Sequence, residues 1–182
     1  MPIKGDQVQD RSGGKFQNEV DRKRGRNQRS QDPYLSDEGG PEPAICTTCH
    51  ATYHNKRWYR DDKEYEQLRQ SSGTHEVTCP ACKKTSDHYP EGIVTLRGKF
   101  LWKHEDEILN LLRSTENTAM AKNPLERIMR IQPMEGEMII ETTEQKLAEH
   151  IGRALHRAYE GELDIKWGED HQVCRVYWER DE

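Results

Sequence analysis

Two Cys-x-x-Cys pairs, Cys46-Thr47-Thr48-Cys49 and Cys79-Pro80-Ala81-Cys82, constrain this chain more than any other feature. Two residues between thiolates let the backbone turn so that both sulfurs face one ion. Two such turns complete the tetrahedral shell of zinc. A shell closed by four thiolates leaves no position for water, so Cys46, Cys49, Cys79 and Cys82 are expected to hold a structural Zn ion, not a catalytic one. The intervening residues, 50–78, are more than the roughly 15–20 of the usual double-pair spacing, so part of them must loop out. Asp61–Gln70 begins with acids and ends at Ser71-Ser72-Gly73, which predicts a short polar helix inside that insertion.

The competing reading of the pairs is redox chemistry or plain unpaired thiols. A thioredoxin-like pair sits beside a βαβ unit, and neither pair here has that setting. His50, His54, His75 and His88 crowd the region and offer substitutes for a thiolate, although four cysteines make substitution unnecessary. Cys174 alternates with aromatic residues and reads as a small core side chain.

Composition explains why such a chain would need a metal. Of 182 residues, 32% are hydrophobic and 34% are charged, against about 25% charged in ordinary domains. One large apolar core is not expected. A structural zinc contributes about 10–16 kcal/mol of binding free energy, enough to fold a segment with almost no core. No stretch approaches the roughly 18 apolar residues of a membrane span, and Met1–Asp10 lacks the apolar region of a secretory signal. The cysteines are therefore expected in a reducing, cytoplasmic setting, with no membrane partner.

Three segments follow. Residues 1–43 show no apolar period and read as a disordered tail. Within it, Arg22–Arg29 places five cations in eight residues, either a phosphate-seeking arm or a solvated tail. Gly39-Gly40-Pro41-Glu42-Pro43 marks the start of folded structure, and residues 44–90 form the zinc-ribbon module.

Residues 91–182 alternate regularly. Ile93–Leu96 is β-rich, and Trp102–Arg113 carries Ile108, Leu111 and Leu112 at helical spacing. Glu126–Ile131 and Glu137–Thr142 suggest a hairpin, although Asn123-Pro124 could equally start a helix through the first of them. Thr142 with Gln145 resembles a capping box for a helix presenting Leu147, Ile151, Ala154, Leu155 and Ala158, closed by Gly161. Leu163, Ile165 and Trp167 alternate with charged residues; after a turn at Gly168–Gln172, Cys174, Val176 and Trp178 share a strand face. The order is β-α-β-β-α-β plus one strand: an α+β, ferredoxin-like domain with helices on one side of an antiparallel sheet.

Between the cysteine pairs lies Asn55-Lys56-Arg57-Trp58-Tyr59-Arg60. Cations interleaved with rings suit RNA: Lys56, Arg57 and Arg60 would meet phosphate, while Trp58 would stack on an unpaired base. Alternatively Trp58 belongs to the mini-core of the metal module and the cations are merely solvated. Arg97, Lys99 and Lys103 form a second, weaker basic patch. Net charge is −5 overall, so any nucleic-acid contact must be local. No catalytic constellation emerges: Gly98-Lys99 lacks a phosphate-loop pattern, and His150 and His156 fall on opposite helix faces. A non-enzymatic role is expected.

Trp58 with its flanking cations, Cys79-Pro80-Ala81-Cys82, the basic strand and helix Ile93–Arg113, and the hairpin and helix Ile128–Leu155 follow one another in an order that resembles the N-terminal zinc-binding region of the nonsense-mediated-decay-three family. Those proteins are export adaptors of the large ribosomal subunit. The resemblance spans roughly residues 44–180, in the manner of a short bacterial-type relative with two cysteine pairs where the family carries more. It implies zinc on Cys46, Cys49, Cys79 and Cys82 and attachment to the ribosome or its large subunit; nuclear export is not carried over. The acidic C-terminal domain would face away from RNA or dock a basic ribosomal protein. The competing expectation is a zinc-dependent protein–protein interaction module without RNA binding.

Overall fold

Turn residues interrupt every apolar run in the cysteine region, so its strands are only three residues long. A computed structural model describes residues 32–36, 39–168 and 173–182. The basic cluster Arg22–Arg29 and most of the expected turn Gly168–Gln172 lie outside the described residues. Strands β1 (Ala44–Cys46), β2 (Thr52–His54), β3 (Arg57–Tyr59) and β4 (His75–Val77) form a sheet in the order β3-β2-β1-β4. β1 pairs parallel to β4; the other neighbours are antiparallel. Asn55 and Lys56 join β2 to β3, both with positive φ (49° and 59°), the twist a two-residue hairpin turn requires. The Glu42 carboxylate accepts both turn amides, at 3.0 Å and 2.7 Å.

The looped-out insertion carries α1 (Asp62–Gln70), close to the expected polar helix. Asp61 caps it by accepting from the Lys63 and Glu64 amides. Helix α2 (Pro80–Ser86) begins at the second cysteine pair, with Cys79 at its N-cap and Pro80 in the first turn.

The remaining elements are β5 (Gly92–Arg97), α3 (Lys99–Lys103), α4 (Glu105–Lys122), β6 (Ile128–Met134), β7 (Glu137–Thr142), α5 (Gln145–Tyr159), β8 (Glu162–Trp167) and β9 (Cys174–Glu179). They build a second sheet in the order β6-β7-β5-β9-β8. The α+β class and the element order are those expected, with the extra strand. The extra strand changes the pairing, however. β8 leaves α5 for the sheet edge, and β9 returns between β8 and β5, parallel to β5. The sheet is therefore mixed, not antiparallel.

Val94 and Leu96, Met138 and Ile140, and Cys174, Val176 and Trp178 alternate onto one sheet face. They pack there against Leu101, Ile108, Leu112, Leu147, Ile151 and Leu155 from the helices. Gly152 lets α5 approach the sheet, since a Cβ there would run into the side chains of Val176 and Leu163.

Several local expectations change. The helix foreseen at Trp102–Arg113 is two helices broken at His104, the second running on to Lys122. The capping box does not form: Glu144 is the N-cap of α5, without a side-chain cap, and the Thr142 hydroxyl donates to the Glu144 carbonyl at 2.9 Å. Ala158 is exposed. The segment after Asn123 is neither helix nor strand until Ile128, because Asn123 caps the turn by accepting from the Leu125 amide.

Ordered contacts begin before residue 44. Asp32 pairs with Lys84 at 2.6 Å, Tyr34 donates to Asp87 at 2.8 Å, and its ring packs on Tyr89. Asp32–Glu182 forms one compact unit.

Candidate metal centre

The four sulfurs converge from three places. Cys46 ends β1, Cys49 closes the turn after it, and Cys79 and Cys82 open α2. His50 adopts φ 64°, which turns the chain so that the Ala51 carbonyl accepts from the Cys46 amide at 2.8 Å. The second pair is thus delivered by a helix start instead of a second turn, with Pro80 setting φ for it.

All four Sγ atoms lie within 4.8 Å of one another. Cys46 and Cys82 are 3.9 Å apart, and Cys49 and Cys79 3.6 Å. Metal–sulfur bonds of about 2.3 Å in a tetrahedron require a sulfur–sulfur edge of about 3.8 Å. The cysteines are free thiols, not disulfides. They fit a tetrahedral thiolate site and can hold a metal ion. The amide of Cys79 donates to the Cys46 sulfur at 3.3 Å, and that of Cys82 to the Cys79 sulfur at 3.4 Å.

As thiols the four side chains hydrogen-bond in pairs, Cys46 with Cys82 and Cys49 with Cys79. Hydrogen bonds with Cys49 and Cys79 lower the Cys46 pKa, the same kind of bonds with Cys46 and Cys49 raise that of Cys79, and burial pushes Cys82 up to about 11. A metal must displace those protons, so its affinity falls as pH falls.

None of the four neighbouring histidines joins the ligand cluster. His50 stacks on Tyr65; His54 stacks on Tyr59 and meets Glu64 at 2.9 Å; His75 and His88 are exposed. Cys174 is buried in the second core.

Sequence reasoning missed Arg127. Its guanidinium donates to Cys49 at 3.0 Å and Cys82 at 3.5 Å, and reaches Cys79 at 4.0 Å. Its Nε donates to the Pro124 carbonyl at 2.7 Å and its amide to the Thr143 hydroxyl at 2.8 Å. Burial opposes the charge, but the bond to Cys49 and the sulfur field outweigh it, and the pKa is raised. A divalent ion on four thiolates would carry net charge −2, and Arg127, already hydrogen-bonded to the sulfurs, would offset part of it. No spacing in the sequence points from residue 127 to the cysteines.

Lys84 was also invisible, because a buried lysine and a solvated one look alike in a sequence. It is fully buried, with its ammonium 2.6 Å from Asp32, 2.9 Å from Glu91, and 3.1 Å from both Glu144 and the Thr143 carbonyl. Asp32, Glu91 and Glu144 converge as metal ligands would, but here the lysine is their cation. Burial raises Glu91, and it pushes Glu144 up to about 7 against the opposing field of Lys84. This network and Arg127 join the cysteine module to the second sheet.

The basic segment divides. Trp58 packs partly against the cysteine core and tilts on Tyr53, 5.0 Å between ring centres. With Tyr59, Arg60 and Lys63 it also lines a cleft of about 580 Å³, closed opposite by Lys122 of α4. Lys56 and Arg57 lie on the exposed hairpin outside that cleft. In the weaker patch, Arg97 is engaged by Glu137 at 2.6 Å. Compared with known proteins, the chain matches no family model, no curated protein and no solved structure. Among the described residues no helix is long and apolar enough to cross a membrane.

Proposed function

We propose that this chain is a non-enzymatic zinc protein of the cytoplasm that binds RNA, on the ribosome or its large subunit. Zinc is the ion that a closed set of four thiolates at tetrahedral spacing suits best, and Cys46, Cys49, Cys79 and Cys82 would hold it. The ion supplies folding energy, and the chain's own residues make the contacts.

One observation carries the RNA reading: Trp58 and Arg60 share an open cleft in which the cations have no carboxylate partner among the described residues, while the acids are used internally. Asp61 caps α1, and Glu64 is bound by His54 and by the Thr52 hydroxyl at 2.7 Å. Lys56 and Arg57 extend the basic surface along the hairpin. The ribosome is the partner that the family resemblance implies.

A second reading has a specific basis. Ile93, Ile139 and Tyr177 lie on the sheet face opposite the helices, only half buried, and a protein partner could cover them. Replacing Lys56, Arg57 and Arg60 together with Ala separates the two. The RNA reading expects a folded protein with weakened, RNase-sensitive ribosome co-sedimentation. Unchanged sedimentation, or binding that ignores salt, would favour the protein partner.

A further inference from the structure

The cleft does not end at Lys122. A shallow groove of about 680 Å³ continues along the outer face of α4, sharing Ala121 and Lys122 with the cleft and running past Asn117 and Ser114 to Arg113 and Asn110. That stretch of helix spans about 18 Å at 1.5 Å per residue.

Its chemistry departs from the rest of the chain. Asp and Glu number 33 in this sequence and outnumber Lys and Arg, yet no acid lines the groove. The nearest acid on α4, Glu116, is engaged elsewhere, accepting the Ile128 amide at 2.7 Å. The acids at the start of the helix, Glu105, Asp106 and Glu107, lie outside the groove. Arg113, Lys122 and Lys63 form no ion pair among the described residues. Apart from Ala121, the other side chains that line the groove are amides and hydroxyls, which donate and accept without charge.

Resting on the RNA reading above, we infer that the cleft and groove form one track for single-stranded RNA. A base enters the cleft that Trp58, Tyr59 and Arg60 line, and the backbone follows α4 over Lys63, Lys122 and Arg113. Asn117, partway along the groove, offers an amide to the bases that pass over it. Unpaired strands suit this site because ring stacking needs an unstacked base, while a duplex offers only its phosphates. The track adds Lys63, Arg113 and Lys122 to the contact set; none of them stands in the Lys56–Arg60 segment.

Binding of a labelled uridine oligoribonucleotide to the full metal-loaded chain tests this, measured from about 50 to about 200 mM salt. Lys63→Ala, Arg113→Ala and Lys122→Ala combined should weaken binding at least about tenfold and lower the salt slope by about 2, at roughly 0.7 per single-strand phosphate contact. A charge-matched variant on exposed positions of α5, Lys146→Ala, Arg153→Ala and Arg157→Ala, should leave both unchanged, and an RNA duplex should bind more weakly than the single strand. Wild-type affinity and slope in the track variant would overturn the track while leaving RNA binding standing. Equal weakening by the control variant, or equal affinity for the duplex, would also overturn it. Failure of the parent protein to bind the oligomer at low salt would remove the RNA reading itself.

Discussion

The two sheets of this protein solve the same problem by opposite means. The second buries a continuous apolar layer from eight elements, β5, β7, β9, α3, α4, α5 and, at its margin, β6 and β8. The first has almost none: its core is Cys46, Ala51, Cys79, Ala81, Cys82 and Leu125, and Leu125 is borrowed from beyond α4. Stability in the second scales with apolar area removed from water. In the first, on the zinc reading proposed above, it would depend on a single ion and the charged groups around it. A region poor in apolar residues can still fold when it is tied to a rich one, here by Arg127 and Lys84.

The largest expected effect separates the regions outright. Cys79→Ser removes a ligand, so hydrogen exchange should rise across residues 44–90 while Val94, Ile140 and Val176 keep their protection. Uniform loss of protection in both sheets would show that they do not depend on different forces; unchanged protection in the first would show that the metal does not hold it.

Arg127→Met probes the tie. Losing a partner that orients ligands typically weakens metal binding about 10–100-fold, so zinc should pass to a competing chelator faster while the second sheet keeps its melting temperature. Arg127→Lys, which keeps charge but not the two-armed geometry, should fall between the two. Metal retention equal to that of the parent would contradict this role.

Gly152→Val acts on the other side of the comparison. The added side chain meets Val176 and Leu163, an overpacking expected to cost about 1–3 kcal/mol. Its thermal unfolding should move down while metal content stays at the parent level; a loss of metal would mean the regions are coupled more tightly than described.

The smallest effect is a pH dependence. Glu144 sits at about 7 in the folded protein, against about 4.3 for a free glutamate. Folding therefore favours its protonated form. Its contribution is complete below about pH 4 and fades as pH rises through about 7. Glu144→Gln stays neutral, so the melting-temperature difference, variant minus parent, should grow from pH 5 to pH 8, roughly. A constant difference would contradict the assignment.

What the sequence disclosed follows the same divide. The ligand pairs were legible because thiolate spacing is a local property, and the strands and helices of the second sheet because burial leaves a period of 2 or 3.6. The helix in the insertion was legible from Asp61 and its acidic first turn. Arg127 and Lys84 were not, since a buried cation is told from a solvated one only by partners distant in the chain. The return of β9 between β5 and β8 was hidden for a related reason: alternation shows that a strand has a buried face, not which neighbour it pairs with.

Metal content measured together with cobalt replacement tests the central claim most directly. The expected result is one zinc per chain and, after exchange, the absorption of a tetrahedral cobalt site with four thiolates, both lost in Cys79→Ser. Protein purified without stoichiometric metal, or a cobalt spectrum of fewer thiolates, would contradict it.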